Sequence, residues 1–115
     1  MGQYFFIVNL DKKEYLHPHK MGSGLKLWEI CADNLPRVLP LLLRQSSEGG
    51  GGDYHGEDFN VVGRWAGDRI TVVGDYDESG LFEEAEESYK EISDLVRPTF
   101  DDFIDIKDYK LSESW

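Results

Sequence analysis

The stretch Tyr4-Phe5-Phe6-Ile7-Val8-Asn9 decides the fold of this chain. Its first five residues are aromatic or β-branched, so a strand here is apolar on both faces, as is typical of a central strand. Asp11-Lys12-Lys13 follows as a polar turn, and Glu14-Tyr15-Leu16-His17 alternates polar and apolar residues like a half-buried partner strand. Pro18 ends that strand, because proline cannot donate a ladder hydrogen bond.

A second hairpin is predicted further along the chain. Asn60–Trp65 and Arg69–Asp75 are rich in β-branched residues and flank the turn Ala66-Gly67-Asp68. Two hairpins that pair into one antiparallel sheet, with helices packed on one face, form the simplest arrangement of these elements. The sequence therefore predicts an α+β fold.

Helices are predicted between the two hairpins. Ser23 is a suitable N-cap for a helix from Leu25 to about Asp33, with four residues facing inward: Leu27, Trp28, Cys31 and Ala32. Asn34 is a suitable cap for a second helix with Pro36 in its first turn. Its apolar stripe consists of Leu35, Val38, Leu39, Leu42 and Leu43. Pro40 either kinks this helix or restarts it.

A third, amphipathic helix is predicted after the second hairpin. Its apolar face consists of Leu81, Phe82, Ala85, Tyr89, Ile92, Leu95 and Val96. Its other face carries Glu83, Glu84, Glu86, Glu87 and Glu91. Arg97-Pro98 interrupts it, and Thr99 with Asp102 resembles a capping box for a last short helix. Residues 104–107 also alternate like a strand, so both interpretations of 99–109 stay open.

Length and composition indicate one globular domain over residues 1–115. A glycine-rich loop at about 46–58, with four consecutive glycines at 49–52, is predicted to be flexible. No apolar run approaches the roughly 20 residues of a membrane span. Cys31 is the only cysteine and has apolar neighbours, which favours a buried thiol and a cytoplasmic protein.

The formal net charge is −11. Such a chain repels phosphate backbones and anionic lipids, so we expect neither nucleic-acid nor membrane binding. A basic protein partner, a cation, or simple solubility fits this charge better.

The segment Asp75–Glu86 has the ligand spacing of an EF-hand calcium loop. The oxygen ligands would come from Asp75, Asp77, Ser79, the Leu81 carbonyl, Glu83 (directly or through water) and Glu86. Gly80 stands where the loop turns sharply. Against this hypothesis, a predicted strand precedes the loop and there is no second loop. The alternative is that Ser79 caps the helix and the glutamates favour the positive end of its dipole.

The three histidines offer another candidate site. His17, His19 and His55, with a nearby carboxylate, could hold zinc or another transition metal. The alternative interpretation has His17 and His19 packed at the end of the sheet and His55 in solvent. The same residues, beside the glycine-rich loop, are where a metal-dependent or small-ligand enzyme would place its site. No P-loop or activated-thiol pattern accompanies them, so the sequence favours a protein that is not an enzyme.

Several strings together resemble a widespread family of small, mostly bacterial proteins that are known only as hypothetical. The resemblance extends over about residues 1–76 and implies a self-contained domain, with some members carried on mobile gene cassettes. It implies no activity. The strings are Met1-Gly2-Gln3-Tyr4, Asn9-Leu10-Asp11-Lys12-Lys13-Glu14-Tyr15, His17-Pro18-His19-Lys20, Gly24-Leu25-Lys26-Leu27 and Trp65-Ala66-Gly67-Asp68-Arg69.

These observations predict a small acidic binding or interaction protein. Its glutamate face would meet a basic partner or a cation, and uncovered sheet edges make self-association a second possibility. The sequence names neither the ligand nor the partner.

Overall fold

The computed structural model describes residues 2–33, 35–45 and 61–105. Its sheet contains four strands: β1 (Phe5–Asn9), β2 (Glu14–Leu16), β3 (Ile70–Gly74) and β4 (Lys90–Glu91). Their order is β3-β1-β2-β4. β1 pairs with β2 and β3 in antiparallel orientation, whereas β2 and β4 are parallel. The α+β class is therefore confirmed, but the sheet is mixed and the purely antiparallel prediction is wrong.

The first hairpin is confirmed. β1 lies between β3 and β2, and Phe6, Ile7, Val8 and Asn9 are buried. The Oδ1 atom of Asn9 accepts hydrogen bonds from the backbone N–H groups of Asp11 at 2.9 Å and Lys12 at 2.8 Å. This side chain holds the turn that brings β2 back along β1.

The predicted strand pairing of the second hairpin is wrong. Residues 61–67 form successive turns, and β3 pairs with β1 instead. The N–H groups of Gly63 and Trp65 donate to the carbonyls of Leu41 at 2.7 Å and Leu42 at 2.8 Å. Since those donors are used on a neighbouring helix and Trp65 is fully buried, the segment packs as a loop under the sheet. Asn60 lies outside the described residues.

The short helices after β2 restart at proline. A 3-10 helix covers Pro18–Met21, and another covers Leu35–Val38. The second leads into α2 (Leu39–Leu43), where Pro40 occupies the first turn. Of the two predicted alternatives, the helix restarts, because proline is tolerated in a first turn but not in a helix interior. Asn34 is outside the described residues.

The inward face predicted for the first helix is wrong. α1 spans Leu27–Ala32, and only Ile30 is buried. Trp28 is 70% exposed, and Cys31 is also exposed. Two acidic side chains make local contacts here: Glu29 accepts from the Lys26 N–H at 3.1 Å, and Asp33, just after the helix, accepts from the Ser23 hydroxyl at 3.2 Å. Within α1, Ile30 packs into the core, and the four residues predicted to face inward are exposed.

The long third helix is wrong as a single element. α3 spans Leu81–Ser88 and α4 spans Ser93–Asp105, with β4 between them. The break follows from pairing with β2: the Lys90 N–H donates to the Lys13 carbonyl and the Ile92 N–H to the Tyr15 carbonyl, both at 3.0 Å. α4 continues past Pro98 to Asp105 instead of restarting. Residues 106–109 are not described.

Helices cover both faces of the sheet, so packing on one face is also wrong. On one face, Phe82 and Ala85 of α3 pack against Phe6, Val8 and Val73. The opposite face carries the larger core around Ile7 and Leu16, with residues of α1, α2, α4 and the 61–65 loop. Two opposed cores explain why β1 is apolar on both sides. No helix in the described ranges is long and apolar enough to cross a membrane. The predicted loop at 46–58 falls in the range that the structure leaves undescribed.

Candidate interaction site along the edge of strand β3

β3 ends the strand order and, in the part of the chain that the structure describes, pairs on one side only. The flanking bonds fix the direction of its backbone groups. Asp75 N–H donates to the Tyr4 carbonyl at 2.8 Å, and Leu10 N–H donates to the Arg69 carbonyl at 2.9 Å. Because bonded pairs recur every second residue in an antiparallel ladder, Thr71 and Val73 direct their N–H and C=O groups toward β1. The groups of Ile70, Val72 and Gly74 therefore point away from the sheet, but the Gly74 carbonyl already accepts from the Asp77 N–H at 3.0 Å.

A groove of about 500 Å³ runs along this edge. Its apolar lining consists of Phe5, Leu10, Val72, Val73, Tyr76 and Leu81. Val72 is 44% exposed and Tyr76 is 59% exposed, so the groove presents apolar surface to solvent. Among the described lining residues, Asp77 alone carries a charge. The groove thus joins outward backbone groups to an apolar floor and one carboxylate.

The loop between β3 and α3 forms one end of the groove. The Asp77 carboxylate accepts from the Ser79 N–H at 3.0 Å and from the Ser79 hydroxyl. These hydrogen bonds lower the pKa of Asp77, so its charge persists at neutral pH. Gly80, at φ 82°, begins α3 in a left-handed conformation. Ser79 Oγ also accepts from the Leu81 N–H at 3.2 Å, but Gly80 occupies the N-cap of α3, so the alternative in which Ser79 caps the helix is wrong by one residue.

The predicted calcium ligands are spread over this loop and α3. Asp75 accepts a hydrogen bond from the Tyr4 N–H at 3.0 Å, while Glu83 and Glu86 are exposed on α3. Among the described residues, no group of three or more His, Cys, Asp or Glu side chains could hold a metal ion. Calcium binding by Asp75, Asp77, Ser79, Leu81, Glu83 and Glu86 therefore stays a prediction.

Two of the three predicted histidines are neighbours. The ring centroids of His17 and His19 are 5.7 Å apart, and those of His17 and Phe6 are 5.2 Å apart. The Nδ1 atom of His17 is buried without a hydrogen-bond partner among the described residues. Burial lowers the pKa of His17, and His19 lowers it further, against the opposing effect of Glu91. His55 lies outside the described residues, so a three-histidine site stays untested.

Sequence reasoning missed a buried ion pair below the sheet. Glu14 is only 5% exposed, and Arg64 reaches its carboxylate through Nε at 3.1 Å and Nη2 at 2.5 Å. The indole Nε1 of Trp65 donates to the same carboxylate at 2.8 Å. Burial raises the pKa of Glu14, but the hydrogen bonds from Arg64 and Trp65 outweigh it and the net shift is downward. The alternation of β2 suggested a solvent-facing glutamate, and no local signal marked its distant partners.

Comparison with known protein families, with curated proteins and with solved structures finds no match for this chain. The resemblance to small bacterial hypothetical proteins stays an expectation. The geometry of the β3 edge is therefore the main guide to function.

Proposed function

We propose that this chain is a small acidic interaction protein that binds an extended segment of a partner along β3. Binding would occur by strand addition, in which the segment becomes the next strand of the sheet. The single observation that carries this proposal is the outward direction of the N–H and C=O groups of Ile70 and Val72 along a groove.

Sheet edges of this kind are usually blunted. Natural proteins protect them with charged side chains, proline, bulges or a covering element. β3 reads Ile-Thr-Val-Val-Gly, with none of the charges or prolines that discourage pairing. Its central Val72 is exposed. The unprotected edge and the exposed apolar groove beside it together favour a binding surface.

Two partner classes follow from the sequence: a protein with a basic segment, or a second copy of this chain. Either partner can offer backbone N–H and C=O groups that pair with the outward groups of β3. The side-chain chemistry of the incoming strand distinguishes them. The acidic face of α3 remains available for the wider surface of a basic partner.

The proposal is tested by selecting binders from a displayed library of random linear peptides against the folded chain. Binding is then measured for wild type, Val72→Pro and Val72→Thr. Proline at this position removes an outward N–H and leaves the β1 ladder intact, which edge strands tolerate. We expect Val72→Pro to lose peptide binding and keep its unfolding midpoint within a few degrees, whereas Val72→Thr binds normally. Equal binding by a folded Val72→Pro protein, or no selected binders, would contradict strand addition.

A further inference from the structure

The two sides of the added strand would meet different surfaces. Side chains alternate along β3, so Thr71 and Val73 face α3 while Val72 faces the opposite core. On the α3 side, the groove floor is made by Leu10, Thr71 and Leu81. A long side chain from the added strand would lie across this apolar floor.

The same side of the groove ends in negative charge. Asp77 lines it, and its carboxylate is held by Ser79 at the surface. Glu84 is exposed and lies one helical turn from Leu81, on the neighbouring surface of α3. At the other end of β3, Arg69 precedes the strand and forms an ion pair with Asp11 at 2.8 Å. The local charge that an incoming side chain meets at the Asp77 end is therefore negative.

An apolar floor that ends at a carboxylate matches one kind of side chain. Lysine and arginine lay an aliphatic stem on apolar surface and keep the cationic head at the water boundary. We propose that the segment bound by β3 carries Lys or Arg on the α3 side, alternating with small apolar residues on the Val72 side. This inference rests on the strand-addition function proposed above.

A second copy of the chain fits the groove less well. Two chains that each carry −11 repel one another, and β3 itself has no cationic residue to place over Asp77. A basic segment gains from the same field, which speeds its encounter and fixes its orientation. Charge thus favours a different, basic protein over self-association.

The test uses a matched pair of blocked peptides, Thr-Val-Lys-Val-Lys-Val-Thr and its counterpart with both lysines replaced by glutamate. Calorimetric titration measures each peptide against wild type, Val72→Pro and the double variant Asp77→Asn with Glu84→Gln. We expect the lysine peptide to bind at least about tenfold tighter at about 50 mM salt, because two or more charge pairs change sign. The preference should shrink to about threefold or less at about 500 mM salt and in the double variant. Val72→Pro should bind neither peptide.

The possible outcomes separate the basic-segment proposal from the strand-addition proposal. Equal affinity for both peptides, lost in Val72→Pro, would overturn the basic segment and leave strand addition standing. A Val72-dependent dimer, seen in sedimentation of the free chain, would also overturn it, because a second copy would then be the occupant. Binding of neither peptide without such a dimer would overturn both.

Discussion

The buried pair of Glu14 and Arg64 gives the sharpest stability prediction, with Glu14→Gln as the change. Glutamine keeps the size of the side chain and an oxygen for the Trp65 indole but removes the negative charge. Arg64 Nε and Nη2 then lose the carboxylate charge that they contact in the wild type. The pair joins β2 to the 61–67 loop, whose Trp65 is fully buried, so the loss weakens the attachment of that loop to the sheet.

The magnitude follows from the exposure of the two partners. Removing one member of a fully buried ion pair costs about 3–5 kcal/mol. The Arg64 side chain is 23% exposed, so water recovers part of its solvation, and we expect a loss of about 2 kcal/mol. For a domain of this size, the melting temperature should fall by about 8 °C.

A matched control is present in the same chain. Asp11 and Arg69 form a second arginine–carboxylate pair, but the Arg69 side chain is 74% exposed. Asp11→Asn should therefore destabilise the protein clearly less than Glu14→Gln does. Denaturant and thermal unfolding of wild type and both variants measure the difference. If Glu14→Gln and Asp11→Asn destabilise equally, burial does not govern the strength of these pairs and our reasoning is wrong.

The pH dependence of the same variant tests the direction of the pKa shift of Glu14. The pKa of Glu14 is lowered on folding from its ordinary value of 4.5, so its charge stabilises the native state above that value. The stabilisation is lost as the pH falls through the lower folded pKa. The free-energy gap between wild type and Glu14→Gln should thus be constant near neutrality and close in acid.

Three further predictions concern the histidine pair, the calcium loop and the start of α3. Because burial lowers the pKa of His17 from 6.5, the unfolded chain binds its proton first and stability falls as the pH drops below that value. The unfolding free energy of His17→Phe should therefore fall less than that of wild type between about pH 7 and about pH 5. If the unfolding free energies of both proteins fall equally with pH, His17 is not the cause. If the Asp75–Glu86 loop binds Ca²⁺, millimolar CaCl₂ should raise the melting temperature of wild type more than that of Glu86→Gln. An unchanged melting temperature of wild type would exclude calcium binding by this loop. Gly80→Ala should cost about 1 kcal/mol, from the left-handed backbone alone, since an added Cβ meets no atom within 4 Å; a loss above about 2 kcal/mol would indicate a steric clash instead.

Local pattern was sufficient where the deciding contacts are close in sequence. β1 and β2 are joined by a four-residue turn from Leu10 to Lys13, and the alternation of β2 fixed their pairing. The restart at Pro40 followed from proline chemistry, because proline fits the first turn of α2. Each of these depends on interactions within a few residues, where propensity and hydrogen bonding act directly.

Local pattern failed where a distant partner decided the outcome. Val61–Trp65 has the composition of a strand, yet the carbonyls of α2 take its donors. Tyr89–Glu91 continues a helical pattern, yet the backbone of β2 offers a parallel pairing that breaks the helix. In both cases the competing interaction is absent from the segment itself, and its free energy exceeds the small intrinsic preference.

By itself, the sequence determined the α+β class, the central position of β1 and the acidic character of the surface, because composition and periodicity act over a few residues or over the whole chain. Only the tertiary structure decided that helices cover both faces, that Glu14 is buried against Arg64, and that β3 is an edge strand of the described part of the sheet. Edge position depends on which strand stops the sheet, and that depends on pairing between residues more than 60 positions apart, as in Phe5 with Gly74. The candidate site is a consequence of that long-range pairing, so no motif in the sequence could have revealed it.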